Sequence, residues 1–136
     1  MRFSERELDR YARQMVLPEL GGRGQERLRA GRVLLVGVGG LGAPAALYLA
    51  AAGVGRLVLV DDDSVALGNL QRQVLYTTAD IDRPKVEAAA ARLAALNPEI
   101  ALEPRRERFT AATGDELCAA VDLVLDGSDS FATRAT

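Results

Sequence analysis

Short apolar runs separated by helical patterns give this chain its outline. Val33-Leu34-Leu35-Val36 and Leu57-Val58-Leu59-Val60 are each preceded by an arginine and followed by glycine or aspartate. Apolar runs of that length without alternation predict parallel strands buried on both faces. Between them, residues 43–52 are rich in alanine and leucine, and Pro44 falls in the first turn, where a helix tolerates it. Gly53 and Gly55 close that helix. Strand, glycine turn, helix and strand make one βαβ unit.

The flanking segments continue the alternation. Ser4 and Glu7 form a capping-box pattern, which predicts a short helix carrying Leu8, Tyr11, Ala12 and Met15 on one face and ending at Pro18. Residues 21–31 suit a second short helical lead-in. Downstream, Asp82-Arg83-Pro84-Lys85 opens an alanine-rich helix over about 86–96, stopped by Asn97-Pro98. A modest strand over 100–103 follows. Thr113 and Glu116 are spaced as a capping box for a short helix, and Asp122-Leu123-Val124-Leu125-Asp126 reads as a further buried strand. Two segments result: a helical stretch over 1–31 and an alternating β/α unit over 32–136.

Composition narrows the class. With 49% hydrophobic and 26% charged residues, the 136-residue chain has the balance of a globular protein rather than a disordered one. A net charge of −2 argues against general nucleic-acid binding and leaves only a local basic cluster for a phosphate ligand. Cys118 is the only cysteine, which excludes an intrachain disulfide or a multi-cysteine zinc site within this sequence. Its neighbours Leu117, Ala119 and Ala120 suggest a core position. No apolar signal core opens the chain and no apolar run is long enough for a membrane helix, so the expected location is cytoplasmic.

The candidate chemistry begins at Gly37-Val38-Gly39-Gly40-Leu41-Gly42, set between a strand and a helix as a dinucleotide fingerprint requires. Gly37 and Gly39 allow a tight turn and close backbone approach, Gly42 lets the helix pack on the strand, and the helix N-terminus offers free N–H groups to phosphate. Asp61 ends the second strand, where a carboxylate accepts hydrogen bonds from ribose hydroxyls. These features fit NAD as well as ATP. Asp62 and Asp63 repel one another and Asp61, and at least one can be an ordinary solvated loop acid. Arg72 or Lys85, taken singly, would read as a solvated charge. Lys85 nonetheless stands at a helix start, where the dipole disfavours a cation, so its placement asks for an anionic partner.

In order along the chain stand Arg10-Tyr11-x-Arg13-Gln14, the glycine turn, Asp61-x-Asp63, Asn69-Leu70-Gln71-Arg72-Gln73, Pro84-Lys85 and Asp126-x-x-Asp129. This series resembles the ThiF/MoeB/HesA family of adenylating enzymes, relatives of the ubiquitin-activating enzymes, over essentially the whole chain. The resemblance implies an α/β fold: a Rossmann-like parallel sheet with helices on both faces, preceded by short N-terminal helices and truncated relative to the family. It implies use of ATP and Mg2+ to adenylate the C-terminal glycine of a ubiquitin-fold sulfur-carrier protein of the MoaD/ThiS kind, as in molybdopterin or thiamin biosynthesis.

By the same resemblance, Gly37, Gly39, Gly40, Gly42, Asp61, Asp63, Asn69, Arg72, Gln73 and Lys85 bind the nucleotide. Asp61 would hold the ribose, Asn69, Arg72 and Lys85 the triphosphate, and Asp129 the magnesium. Arg13 would act across a homodimer, reaching a phosphate in the neighbouring subunit. Zinc is expected only from cysteines in a downstream half. Two departures stand out: Ser130 replaces the usual asparagine, and Asp82-Arg83 replaces a glycine-containing entry to the lysine helix. Rival possibilities are a non-catalytic fragment that dimerises through an exposed sheet edge, an NAD-dependent dehydrogenase, and an ATP-dependent dehydratase of a modified tRNA base.

Overall fold

The computed structural model describes residues 3–127. Helices α1 (Glu5–Met15) and α2 (Gly21–Ala30) precede strand β1 (Arg32–Val36), helix α3 (Gly42–Ala52) and strand β2 (Arg56–Val60). Helix α4 (Lys85–Leu96), strand β3 (Ala101–Arg105), helix α5 (Ala111–Ala119) and strand β4 (Leu123–Asp126) follow. The four described strands pair in parallel, in the order β3-β2-β1-β4. The expected Rossmann-like arrangement is therefore present.

The pleat divides the core in two. Val33, Leu35, Leu57 and Leu59 face α3 and α4, meeting Ala46, Ala50, Ala89 and Leu93. Leu34, Val36, Val58 and Val60 face the other way, onto Leu117 of α5 with Phe109, Cys118 and Val121. Both faces of the central strands are covered, which is why β1 and β2 read as unbroken apolar runs. Cys118 packs at the edge of the smaller cluster and is half-buried.

Three expectations need correction. Strand β4 is not buried: it pairs only with β1 among the described residues, and Leu123 and Val124 are 52% and 39% exposed. Helix α5 does not take Thr113 as its cap. Thr110 is extended and serves instead, its backbone N–H donating to the Thr113 hydroxyl at 3.1 Å. In α1 the Ser4–Glu7 capping box forms, yet only Tyr11 is buried, while Leu8 and Ala12 face solvent and the helix ends before Pro18.

The reason is that α1 docks through polar groups. Asn97, fully buried, donates to the Tyr11 hydroxyl at 2.8 Å and to the Ala50 carbonyl at 2.7 Å. Gln14 donates to the Ala52 carbonyl at 2.7 Å, and the buried Gln25 donates to the same oxygen at 3.0 Å. These amides cap the end of α3, where the Ala50 carbonyl also accepts the Gly53 N–H at 3.2 Å. Gly53 closes α3 with a left-handed φ of +94°.

Candidate functional site

A cleft of about 530 Å³ opens beyond the carboxyl ends of β1 and β2, next to the β1/β4 boundary where strand order reverses. Open parallel sheets bind ligands at such a point. The glycine turn forms its floor. Gly37 has a φ of +92°, in the left-handed region that favours glycine. A side chain on Gly42 would begin 1.8 Å from the Gly37 carbonyl oxygen, so α3 starts directly against the turn. Gly37, Gly39 and Gly40 line the cleft, whereas Gly42 lies beneath it.

The turn presents donors. Among the described residues, no group accepts a hydrogen bond from the N–H of Gly39, Gly40 or Leu41. They stand at the positive end of α3, where an anion is favoured.

Asp61 shapes the turn as well as lining the cleft. Its carboxylate accepts from the Val38 N–H at 3.0 Å and from the Asp63 N–H at 2.8 Å. Each oxygen keeps lone-pair capacity for a further donor such as a ribose hydroxyl. The Asp61, Asp62 and Asp63 carboxylates can bring one oxygen each within 4.8 Å of the others, a concentration of like charge suited to a cation.

The cations arrive from two later segments. A tight turn puts Asn69, Arg72 and Gln73 on the cleft, with the Arg72 and Gln73 N–H groups donating to the Asn69 carbonyl at 3.2 and 2.8 Å. The Asn69 side-chain oxygen is used locally, accepting from the Ala66 N–H at 3.0 Å, which leaves its amide nitrogen to donate outward. Lys85 is brought in by a backbone zipper: its N–H donates to the Asp63 carbonyl at 2.9 Å, and Val65 and Arg83 are joined at the same distance. This zipper needs Asp82 at a φ of +73°. The departure from glycine at this entry is thus an aspartate held in glycine's conformation.

Lys85 is not a solvated charge. It is 6% exposed and lines the cleft without an ion pair to any carboxylate among the described residues. Gln73 is 3% exposed, and its side-chain oxygen is buried with no hydrogen-bond partner among the described residues. Both side chains cross over Gly39: a Cβ there would lie 3.4 Å from Gln73 Nε2 and 3.7 Å from Lys85 Nζ. An ammonium and a buried amide that find no partner among the described residues, at one cleft, suit a polar, anionic ligand.

Nine of the anticipated residues therefore converge on one cleft: Gly37, Gly39, Gly40, Asp61, Asp63, Asn69, Arg72, Gln73 and Lys85. Arg13 does not join them; it is exposed on α1 and does not line the cleft. Asp129 and Ser130 lie outside the described residues.

Four contributors carry no motif recognised in the sequence. Arg108 and Phe109, from the segment after β3, close one side of the cleft, and Phe109 with Val36, Leu41 and Val60 gives it an apolar wall. Gly127 sits where a Cβ would come within 2.8 Å of the Gly42 nitrogen. A glycine directly after a strand-ending aspartate is a signal that sequence could have offered. Tyr76, buried below the turn, donates its hydroxyl to the Val38 carbonyl. Burial, and then the charges of Asp61 and Asp80, push its phenol well above the ordinary tyrosine range, so it remains a donor.

The geometry agrees with comparisons to known proteins. A sulfur carrier protein adenylyltransferase of Thermus thermophilus is 52% identical over 134 residues, covering 98% of this chain and 49% of that protein. The sulfur carrier protein ThiS adenylyltransferase of Escherichia coli is 51% identical over 132 residues, covering 97% of this chain and 53% of the relative. Among solved structures, the E. coli tRNA N6-threonylcarbamoyladenosine dehydratase TcdA in complex with ATP matches with a TM-score of 0.91 at 26% identity. The match covers 99% of this chain and 55% of that one. The chain spans about half the length of the curated relatives it matches. The ThiF family profile matches residues 11–136, and with the turn, the acidic strand end and the cationic cleft in place, this chain belongs to the ThiF family.

Proposed function

We propose that the protein containing this chain uses ATP to adenylate the C-terminal glycine of a ubiquitin-fold sulfur-carrier protein. The carrier carboxylate attacks the α-phosphorus, a P–O bond to the β-phosphate breaks, and pyrophosphate leaves. The observation that carries this reading is the buried Lys85 ammonium, with no carboxylate partner among the described residues, above a glycine turn whose Gly39, Gly40 and Leu41 N–H groups have no acceptor among them. A triphosphate supplies the missing negative charge. Arginine, lysine and backbone dipoles around the phosphates are also what the reaction needs, because negative charge builds there as it proceeds.

In this reading Asp61 holds the ribose, Phe109 flanks the base, and the glycine turn with Asn69, Arg72, Gln73 and Lys85 holds the phosphates. Mg2+ fits the acidic side of the cleft, with Asp129 as its expected ligand and Asp63 near it, and would offset charge on the phosphates. Arg13, which does not line its own cleft, is assigned to the cleft of a second copy in a cytoplasmic homodimer. The relatives at 51–52% identity favour a carrier protein over a tRNA base as the group activated.

Exchange of labelled pyrophosphate into ATP by the protein at its native length, with a sulfur carrier present, tests the assignment. Arg72→Ala is expected to lower exchange about a hundredfold to a thousandfold. Absence of exchange with every carrier tried, or tight binding of NAD without ATP, rejects it.

A further inference from the structure

Tyr76 lies outside the nucleotide-contacting set, yet it touches the backbone that forms the floor of the cleft. Its hydroxyl donates to the Val38 carbonyl from beneath the turn, and its ring is 4% exposed. On the other side of the same residue, the Val38 N–H is held by Asp61 at 3.0 Å. Val38 itself is fully buried. The two peptide units that flank it are therefore each fixed by one side chain.

The consequence follows from peptide geometry. No cis peptide bond occurs among the described residues, and in a planar trans unit the N–H points opposite to the C=O. Val38 C=O shares its unit with Gly39 N–H. Because Tyr76 draws that carbonyl inward, the Gly39 N–H is turned away from Tyr76, on the side of the turn where Gly39 lines the cleft. That N–H has no acceptor among the described residues. A glycine-bounded turn has little intrinsic preference for one peptide orientation, so an external tether is needed to choose it.

We propose that Tyr76 is a positioning residue for phosphate recognition: by holding the Val38 carbonyl, its hydroxyl aims the Gly39 N–H at the ligand's phosphate. This rests on the nucleotide reading above and adds to it a residue that never contacts the nucleotide. Preorganised donors are worth more than donors that must turn to meet the ligand, because the reorientation is not charged against binding.

Tyr76→Phe removes a single oxygen and tests the idea. Binding of ATP and of adenosine to the native-length protein is measured by calorimetry, for the parent and the variant. The variant is expected to bind ATP about tenfold more weakly, as for loss of a hydrogen bond to a charged group, while its affinity for adenosine, which lacks phosphate, is unchanged. The ATP-to-adenosine ratio is the decisive quantity, since partial unfolding lowers both affinities together. An unchanged ratio overturns the role of Tyr76. A parent protein that binds ATP no better than adenosine overturns the phosphate site itself, which is a separate failure.

Discussion

The ammonium nitrogen of Lys85 lies 3.7 Å from the point where a side chain on Gly39 would begin. A residue at the start of α4 thus reaches across the turn between β1 and α3, and the absence of a side chain at Gly39 makes the room. An unpaired buried cation lowers stability unless a ligand supplies the counter-charge. Lys85→Met is expected to hold or raise the thermal midpoint while weakening ATP binding about a hundredfold or more. Differential scanning calorimetry with and without ATP checks both halves; a variant that loses stability and keeps nucleotide affinity contradicts the assignment.

Asp61 is expected to separate geometry from charge. Asp61→Asn keeps an acceptor for the Val38 N–H, whereas Asp61→Ala removes it and leaves a buried donor unmatched at a cost of about 1–3 kcal/mol. Chemical denaturation should show the larger loss for alanine. Nucleotide titration should show weakened binding for both, because each lacks the carboxylate proposed to accept from the ribose.

The glycines of the turn are not equivalent. A Cβ on Gly42 would overlap the Gly37 carbonyl at 1.8 Å, while one on Gly40 would meet nothing within 4 Å. Gly42→Ala is expected to destabilise the fold by about 1–3 kcal/mol or more through forced backbone displacement. Gly40→Ala should leave the denaturation midpoint near the parent value.

Asp82 holds a left-handed conformation at φ +73° so that the zipper can deliver Lys85. Asp82→Gly should keep or raise stability, and Asp82→Val should cost about 1–2 kcal/mol, the strain of a β-branched residue in that region. Equal midpoints for the two variants would show that the loop relaxes.

Asp80 gives the fold an acid-sensitive contact. Donation from the Thr77 backbone N–H, then from the Thr77 hydroxyl and Arg83, holds its carboxyl below the ordinary value of 3.8 against the opposing effect of burial. A depressed folded-state value means the stabilisation is complete above 3.8 and is lost as pH falls through the lower folded value. Asp80→Ala should therefore unfold earlier than the parent at neutral pH, with the gap closing in more acidic solution. Paired melts between neutral pH and pH 3 or so measure it.

Local chemistry determined much of this protein before any tertiary contact is considered. Four apolar residues between an arginine and a glycine or aspartate form a strand, an alanine-rich stretch after Pro84 forms a helix, and the glycine turn between strand and helix marks where the cleft's floor lies. These signals act over one or two turns of chain, so sequence carries them directly. The order of motifs likewise marked nine residues that meet at the cleft.

Tertiary structure decided what depends on distant neighbours. Burial of Lys85 follows from the zipper between residues 63–65 and 82–85. Exposure of β4 follows from its place at the sheet edge among the described strands, although its apolar sequence resembles that of β1. Arg108, Phe109 and Tyr76 enter the site only because loops after β3 and before α4 fold back onto the first turn. The apolar pattern specifies that a segment wants cover; sheet order and loop closure specify which segment covers it, and so which carboxylate, phenol or ammonium stands beside the glycine turn.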